Sequence, residues 1–98
     1  MSITDEYSEN GHHQAIRDEM VSFGERLMRA GHVEEARQVF CRLVQIYPKS
    51  AAAHASLGEF YLMIGDREQA RKNFARSLTL CPENPGVRAK LSHLRGVT

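Results

Sequence analysis

The chain lacks tryptophan and any long apolar run, and it has little cysteine, proline or excess charge. Its 98 residues include two cysteines, three prolines and a formal net charge of +1. No apolar run approaches the roughly 18 residues of a membrane-spanning helix, and two isolated cysteines make neither a disulfide framework nor a zinc-ligand pattern. A net charge near zero does not indicate the basic surface of a nucleic-acid-binding domain. We therefore expect no membrane span and no nucleic-acid partner.

The two ends of the chain carry opposite charge, and the start has no targeting pattern. Residues 1–16 contain three acidic residues and no Lys or Arg, whereas the segment from Pro85 onward contains Arg88, Lys90 and Arg95 with no acidic residue. The start lacks both the basic residues and the apolar core of a signal peptide. These features predict a flexible acidic tail over residues 1–13, a basic last helix and a cytoplasmic location.

Residue types that serve in catalysis and metal binding are present, but not at the spacings that such sites need. Glycine-rich phosphate loops, nucleophile elbows and paired catalytic carboxylates are missing from the sequence. His12 and His13 are adjacent, and no two of the five histidines show the i, i+4 spacing of a helical zinc site. We expect no enzymatic activity, no cofactor and no metal.

A 34-residue repeat organises the chain. A shift of 34 positions places residues 17–50 on residues 51–84 without a gap, and ten of the 34 pairs are identical. A repeat of this length indicates stacked structural units that bury a shared core. The identical pairs are Ser22/Ser56, Gly24/Gly58, Glu25/Glu59, Gly31/Gly65, Glu34/Glu68, Ala36/Ala70, Arg37/Arg71, Phe40/Phe74, Arg42/Arg76 and Pro48/Pro82.

Each repeat has the pattern of two helices joined by a glycine turn. In the second repeat Ser50 can cap the first helix, and Gly65 can supply the left-handed residue that ends it. Asp66 and Gln69 form a capping-box-like start for the next helix, and Pro82 prevents its continuation. The pattern predicts helix–turn–helix pairs.

Glycine also occurs in the middle of the first helix of each repeat, where it costs about 1 kcal/mol relative to alanine. Gly24 and Gly58 share one register, which predicts that the paired helix approaches closely, with Ala36 and Ala70 as the matching small residues. Large apolar residues at helical spacing are predicted to fill the core. They are Phe23, Leu27, Phe40, Leu43, Leu57, Tyr61, Phe74 and Leu78.

The period and these residues resemble the tetratricopeptide repeat family over 68 of the 98 residues. The resemblance implies an all-α superhelix of two antiparallel helix pairs with a fifth, capping helix. It divides the chain into repeat 1 (17–50), repeat 2 (51–84) and capping helix (85–95) within a domain of residues 14–95, followed by a tail (96–98). The matching positions are Met20, Phe23-Gly24, Leu27, Ala36, Phe40 and Pro48, then Leu57-Gly58, Tyr61, Ala70, Phe74 and Pro82, with His54 replacing the family's first aromatic residue.

The fifth helix has its own start and stop signals. Asn84 can cap it, and Pro85 suits its first turn. Leu91 and Leu94 are predicted to cover the last pair while its basic residues, Arg88, Lys90 and Arg95, face solvent.

The resemblance also implies a concave groove, lined by the first helix of each pair, that binds a peptide or amphipathic helix. Two repeated glutamates in an apolar lining exclude the acidic C-terminal tail that some family members bind, because Val21 and Glu25 replace the Lys and Asn of that clamp. An apolar or basic partner segment is expected instead. The predicted lining is Asp18, Val21, Glu25, Met28, Arg29, Ala52, Ala55, Glu59, Leu62 and Met63.

Two further functions fit the same sequence. Two repeats are fewer than the three normally needed for stability, so the domain could mediate oligomerisation or docking, as a homodimer or at the end of a larger protein. Ile16 and Met20 would form its exposed apolar edge. Small secretion chaperones resembling this family are the third alternative.

Overall fold

A computed structural model describes residues 11–96, and every regular element in that range is a helix. The five helices confirm the predicted all-α class. Residues 1–10 of the predicted acidic tail lie outside the described range, and the first helix starts at Gly11 rather than at residue 14. The helices are α1 (Gly11–Arg29), α2 (Val33–Ile46), α3 (Ala51–Met63), α4 (Arg67–Leu80) and α5 (Pro85–Leu94). None of these helices is long and apolar enough to span a membrane.

Side chains cap three of the helices at their N-termini. Ser50 Oγ accepts a hydrogen bond from the Ala53 N–H at 3.1 Å, and Asn84 Oδ1 accepts one from the Val87 N–H at 3.2 Å. Each bond satisfies a backbone donor that has no partner inside the helix, a contribution of about 1 kcal/mol. The predicted start of the fifth helix at Asn84 and Pro85 is therefore confirmed.

The cap at α4 is half of the predicted capping box. Asp66 Oδ1 accepts a hydrogen bond from the Gln69 N–H at 3.1 Å. The Asp66 N–H, which a complete box would offer to the Gln69 side chain, donates to the Tyr61 carbonyl instead. That bond closes the glycine turn after α3. Asp66 therefore takes part, through its backbone, in the end of α3 and, through its side chain, in the start of α4.

Glycine at positive φ ends the first helix of each pair, as predicted. Gly31 has φ of 84° and Gly65 has φ of 85°, in the left-handed region that other residues seldom adopt. In the first turn the His32 N–H donates to the Leu27 carbonyl at 2.8 Å. The two turns therefore satisfy the last carbonyls of α1 and α3 in the same way.

The chain divides into two compact units, residues 11–47 and 48–96. In the first, α1 packs against α2; in the second, α4 packs against both α3 and α5. The best-buried large side chains of the first unit are Phe40 and Leu43. In the second unit Phe74 and Ala70 of α4 form a buried cluster with Val87 and Leu91 of α5.

Close helix approach at the mid-helix glycines is confirmed, but the nearest neighbour of each is a phenylalanine ring rather than the predicted Ala36 or Ala70. A Cβ atom on Gly24 would lie 2.6 Å from Cζ of Phe40, and one on Gly58 would lie 2.9 Å from Cδ1 of Phe74. Both distances are too short for carbon atoms that do not bond. The repeated Gly and Phe identities therefore record one contact made twice.

The prediction of Phe23 as a core residue is wrong. Phe23 is 48% exposed, whereas Leu57, its counterpart 34 residues later, is 6% exposed. The first unit is a single helix pair, which buries only the faces that the two helices turn to each other. The Arg26 guanidinium instead lies over the Phe23 ring, 5.9 Å from the centre of that ring. Phe60, absent from the predicted stripe, is fully buried in the second unit.

Candidate protein-interaction site

The first candidate face lies on α1, inside the first unit. Val21, Glu25 and Met28 are separated by four and three residues, so they lie along one side of the helix. Glu25 is exposed and the two apolar residues beside it are half-buried. Asp18 and Arg29, at the ends of the same side, are also exposed. In this five-residue set, the α1 face, the Glu25 carboxylate lies between two partly accessible apolar side chains, with one acidic and one basic residue at the ends.

The second candidate face lies on α3 and repeats the pattern. Glu59 is half-buried between Ala55 and Leu62, which are also half-buried, while Ala52 and Met63 are exposed. We call these five residues the α3 face. Ala55 and Leu62 pack against the buried cluster that includes Val87 and Leu91, so this face already contacts apolar side chains of the second unit.

An ion pair distinguishes the α3 face from the α1 face. Lys90 Nζ of α5 donates to Glu59 Oε2, and both side chains remain almost half exposed. A pair of this exposure contributes about 0.2–1 kcal/mol, and salt screens it. Lys90, predicted to face solvent, is exposed and also paired with Glu59. Sequence spacing could not have identified this pair, because its residues lie on different helices.

No such partner is found for the glutamate of the α1 face. Among residues 14–96, whose side chains the structure describes, none forms an ion pair or hydrogen bond with Glu25. Position 56, which lies 34 residues before Lys90, is a serine. The repeat therefore preserves the carboxylate in both units but supplies a lysine only to the second.

Comparison with known families agrees with this arrangement of helix pairs. A sequence model of the tetratricopeptide repeat matches residues 27–94, from the last turn of α1 to the last residue of α5. The chain belongs to the tetratricopeptide repeat family. Members of this family generally mediate protein–protein interactions and are typically non-enzymatic scaffolds. A search of curated proteins finds no match to the chain.

Three residues of reactive types, one histidine and two cysteines, lie in or beside the helices of this tetratricopeptide repeat chain. His54, in place of the family's first aromatic residue, has its Nε2 atom 2.9 Å from the Pro48 carbonyl oxygen, so it ties α3 to the preceding turn. Cys41 is half-buried and Cys81 exposed, and neither forms a disulfide. Within the described range, no three His, Cys, Asp or Glu residues are close enough to hold a metal ion.

Proposed function

We propose that the chain is a non-enzymatic interaction module that binds a basic, amphipathic peptide or helix on the α1 face. Membership of the tetratricopeptide repeat family supports the general role, and the side chains of the face indicate the partner. The Glu25 carboxylate, flanked by Val21 and Met28, suits a Lys or Arg beside apolar side chains. Met28 adds a flexible, polarisable contact that adapts to different partner shapes.

The observation that carries this proposal is the pair between Glu59 and Lys90. The α3 face holds a basic amphipathic helix within the chain itself, because α5 brings Lys90 to the glutamate and Leu91 to the cluster against which Leu62 packs. Because Glu25 repeats Glu59, α5 serves as an internal example of the ligand that the α1 face would bind.

The test is an NMR titration of the full chain with a synthetic peptide of residues 84–95. We expect amide shifts on α1 around Glu25, because this peptide carries the lysine and leucine that contact the α3 face. Glu25→Lys should weaken binding by about 1 kcal/mol, or roughly fivefold, since it replaces an ion pair by a repulsion. The effect should grow at low salt.

Glu19→Lys is the matched control. Glu19 is exposed on the same helix and undergoes the same charge change, but it lies about 120° around the helix from Glu25. Circular dichroism establishes that both variants remain helical. The proposal fails if the shifts fall outside α1, or if both variants bind the peptide as the parent chain does.

Self-association is a second candidate function, favoured by apolar exposure on α1. Ile16 and Phe23 are 40% and 48% exposed, and their separation of seven residues places them on one side of the helix. Met20, between them, is half-buried. Adjacent exposed apolar side chains of this size are typical of a contact surface.

A further inference from the structure

The outer side of α5 forms a pocket that is independent of the α1 face. The pocket has a volume of about 530 Å³, and its lining combines apolar and basic side chains. Leu78 of α4 and Leu91 of α5 supply the apolar part, while Arg88 and Arg95 supply two positive charges. Ala89 and Ser92 complete the lining.

The 34-residue repeat relates this pocket to a contact found in both complete helix pairs. Ser92 lies 34 residues after Gly58 and 68 after Gly24, the two positions that receive a phenylalanine ring from the second helix of their pair. Within residues 11–96, α5 has no second helix after it. By its place in the repeat, the pocket therefore corresponds to the space that the Phe40 and Phe74 rings fill in the two complete pairs.

The charges of the pocket differ from those at the equivalent positions in the two pairs. Arg88 and Arg95 occupy the positions of His54 and Tyr61 in the second unit. They lie seven residues apart, so they project from one side of α5 with a spacing of about 10.5 Å along its axis. Neither forms an ion pair with a carboxylate of the described residues. Lys90, the third basic residue of α5, is already paired with Glu59.

We propose that this pocket binds an acidic amphipathic helix of a partner protein, which packs on α5 as α4 packs on α3. An aromatic or large aliphatic side chain of the partner fills the space above Ser92, and two carboxylates pair with Arg88 and Arg95. Arginine suits this role because its planar guanidinium binds carboxylates in a bidentate manner. The leucine floor and the net charge of +1 favour such a helix over a nucleic acid, which needs an extended basic surface.

The probe is a synthetic helix with the sequence of residues 67–80, in which glutamate replaces the three arginines. It keeps the phenylalanine of α4 and adds the complementary charge. Two comparison peptides isolate these contributions: the unaltered basic sequence, and the acidic sequence with alanine in place of phenylalanine. In fluorescence anisotropy with the full chain, both should bind at least about tenfold more weakly than the acidic phenylalanine peptide.

Protein variants locate the binding surface. Arg88→Gln with Arg95→Gln should weaken binding of the acidic phenylalanine peptide at least about tenfold. Arg67→Gln with Arg76→Gln removes the same charge from exposed positions of α4 that do not line the pocket, and should leave binding within about twofold. Ser92→Trp, which fills the pocket while keeping both arginines, should also abolish binding.

Three results would overturn the proposal. Equal weakening by the two arginine pairs would indicate a general charge effect. Equal binding of the alanine peptide would show that the pocket receives no side chain. Tighter binding of a short single-stranded DNA, lost with Arg88 and Arg95, would assign the surface to nucleic acid. The pocket is proposed to bind an acidic helix and the α1 face a basic one. The two proposals are therefore tested with different peptides, and either can fail without affecting the other.

Discussion

Substituting Gly58 tests the helix contact that both units repeat. Alanine at an exposed helical glycine stabilises a protein by about 1 kcal/mol, because alanine has the higher helix propensity. At Gly58 the added Cβ would lie 2.9 Å from two atoms of the Phe74 ring and 3.2 Å from its Cγ. Phe74 is fully buried, so its ring cannot move without displacing its neighbours.

The two effects have opposite signs, and their sizes determine the outcome. Overpacking a well-packed core costs about 1–3 kcal/mol, which exceeds the propensity gain in most of that range. We expect Gly58→Ala to destabilise the protein by about 1 kcal/mol, or about 4–8 °C in the melting temperature of a domain this small. Gly58→Leu, which adds three more carbon atoms at the same place, should cost more.

A double-mutant cycle with Phe74→Leu assigns the cost to this contact. Phe74→Leu destabilises by itself because it opens a cavity, but the smaller side chain leaves room for the new Cβ. In that background Gly58→Ala should be neutral or stabilising, which gives a coupling of about 1–2 kcal/mol. Urea unfolding of the four proteins, followed by circular dichroism, measures the coupling.

Gly86→Ala is the matched control for the cycle. Its Cβ would meet only Asn84 Oδ1, at an ordinary 3.4 Å, so the helix propensity should dominate and the variant should be unchanged or more stable. A gain of about 1 kcal/mol at Gly58 as well would refute the reasoning, because it would mean that α3 and α4 do not meet at this position.

The remaining predictions concern one buried hydroxyl and one exposed ring. Ser77→Ala should destabilise the protein by about 0.5–1.5 kcal/mol in urea unfolding, because the buried Ser77 hydroxyl donates to the Ala51 carbonyl at 2.8 Å. The control is Thr79→Ala, which removes an exposed hydroxyl bonded within its own helix and should change the free energy of unfolding by no more than about 0.5 kcal/mol. If the chain self-associates through α1, Phe23→Ser should shift sedimentation velocity toward monomer across about a hundredfold range of concentration, and a parent chain that is monomeric throughout would exclude that function.

The features that the sequence predicted correctly arise from local physical chemistry. Gly65 must supply a left-handed conformation, Asn84 must satisfy free backbone donors, and Pro82 cannot continue a helix. These requirements act within a few residues, so a pattern of a few residues reveals them. The mid-helix glycines extended this reasoning to one long-range contact, because an unfavourable residue that recurs at the same register needs a packing explanation.

The features that the sequence did not predict depend on which residues of other helices pack against a side chain. Phe60 is fully buried, but its counterpart 34 residues earlier is Arg26, so comparison of the repeats hid it. Ser77 is buried where the first repeat has Leu43, because its hydroxyl finds the Ala51 carbonyl. In both cases the repeat correctly aligns the two residues on their helices, but the side chains around them differ between the two units.

Glu25 and Glu59 show why this distinction matters for function. They are the same residue at the same register, and from sequence they have the same role in a binding surface. In the structure Glu59 has Lys90 beside it, whereas no described residue pairs with Glu25. A carboxylate that is already paired gains less from a partner's lysine, because binding must first replace the internal pair. The two positions should therefore differ in what they contribute to partner binding, and the larger contribution should come from Glu25.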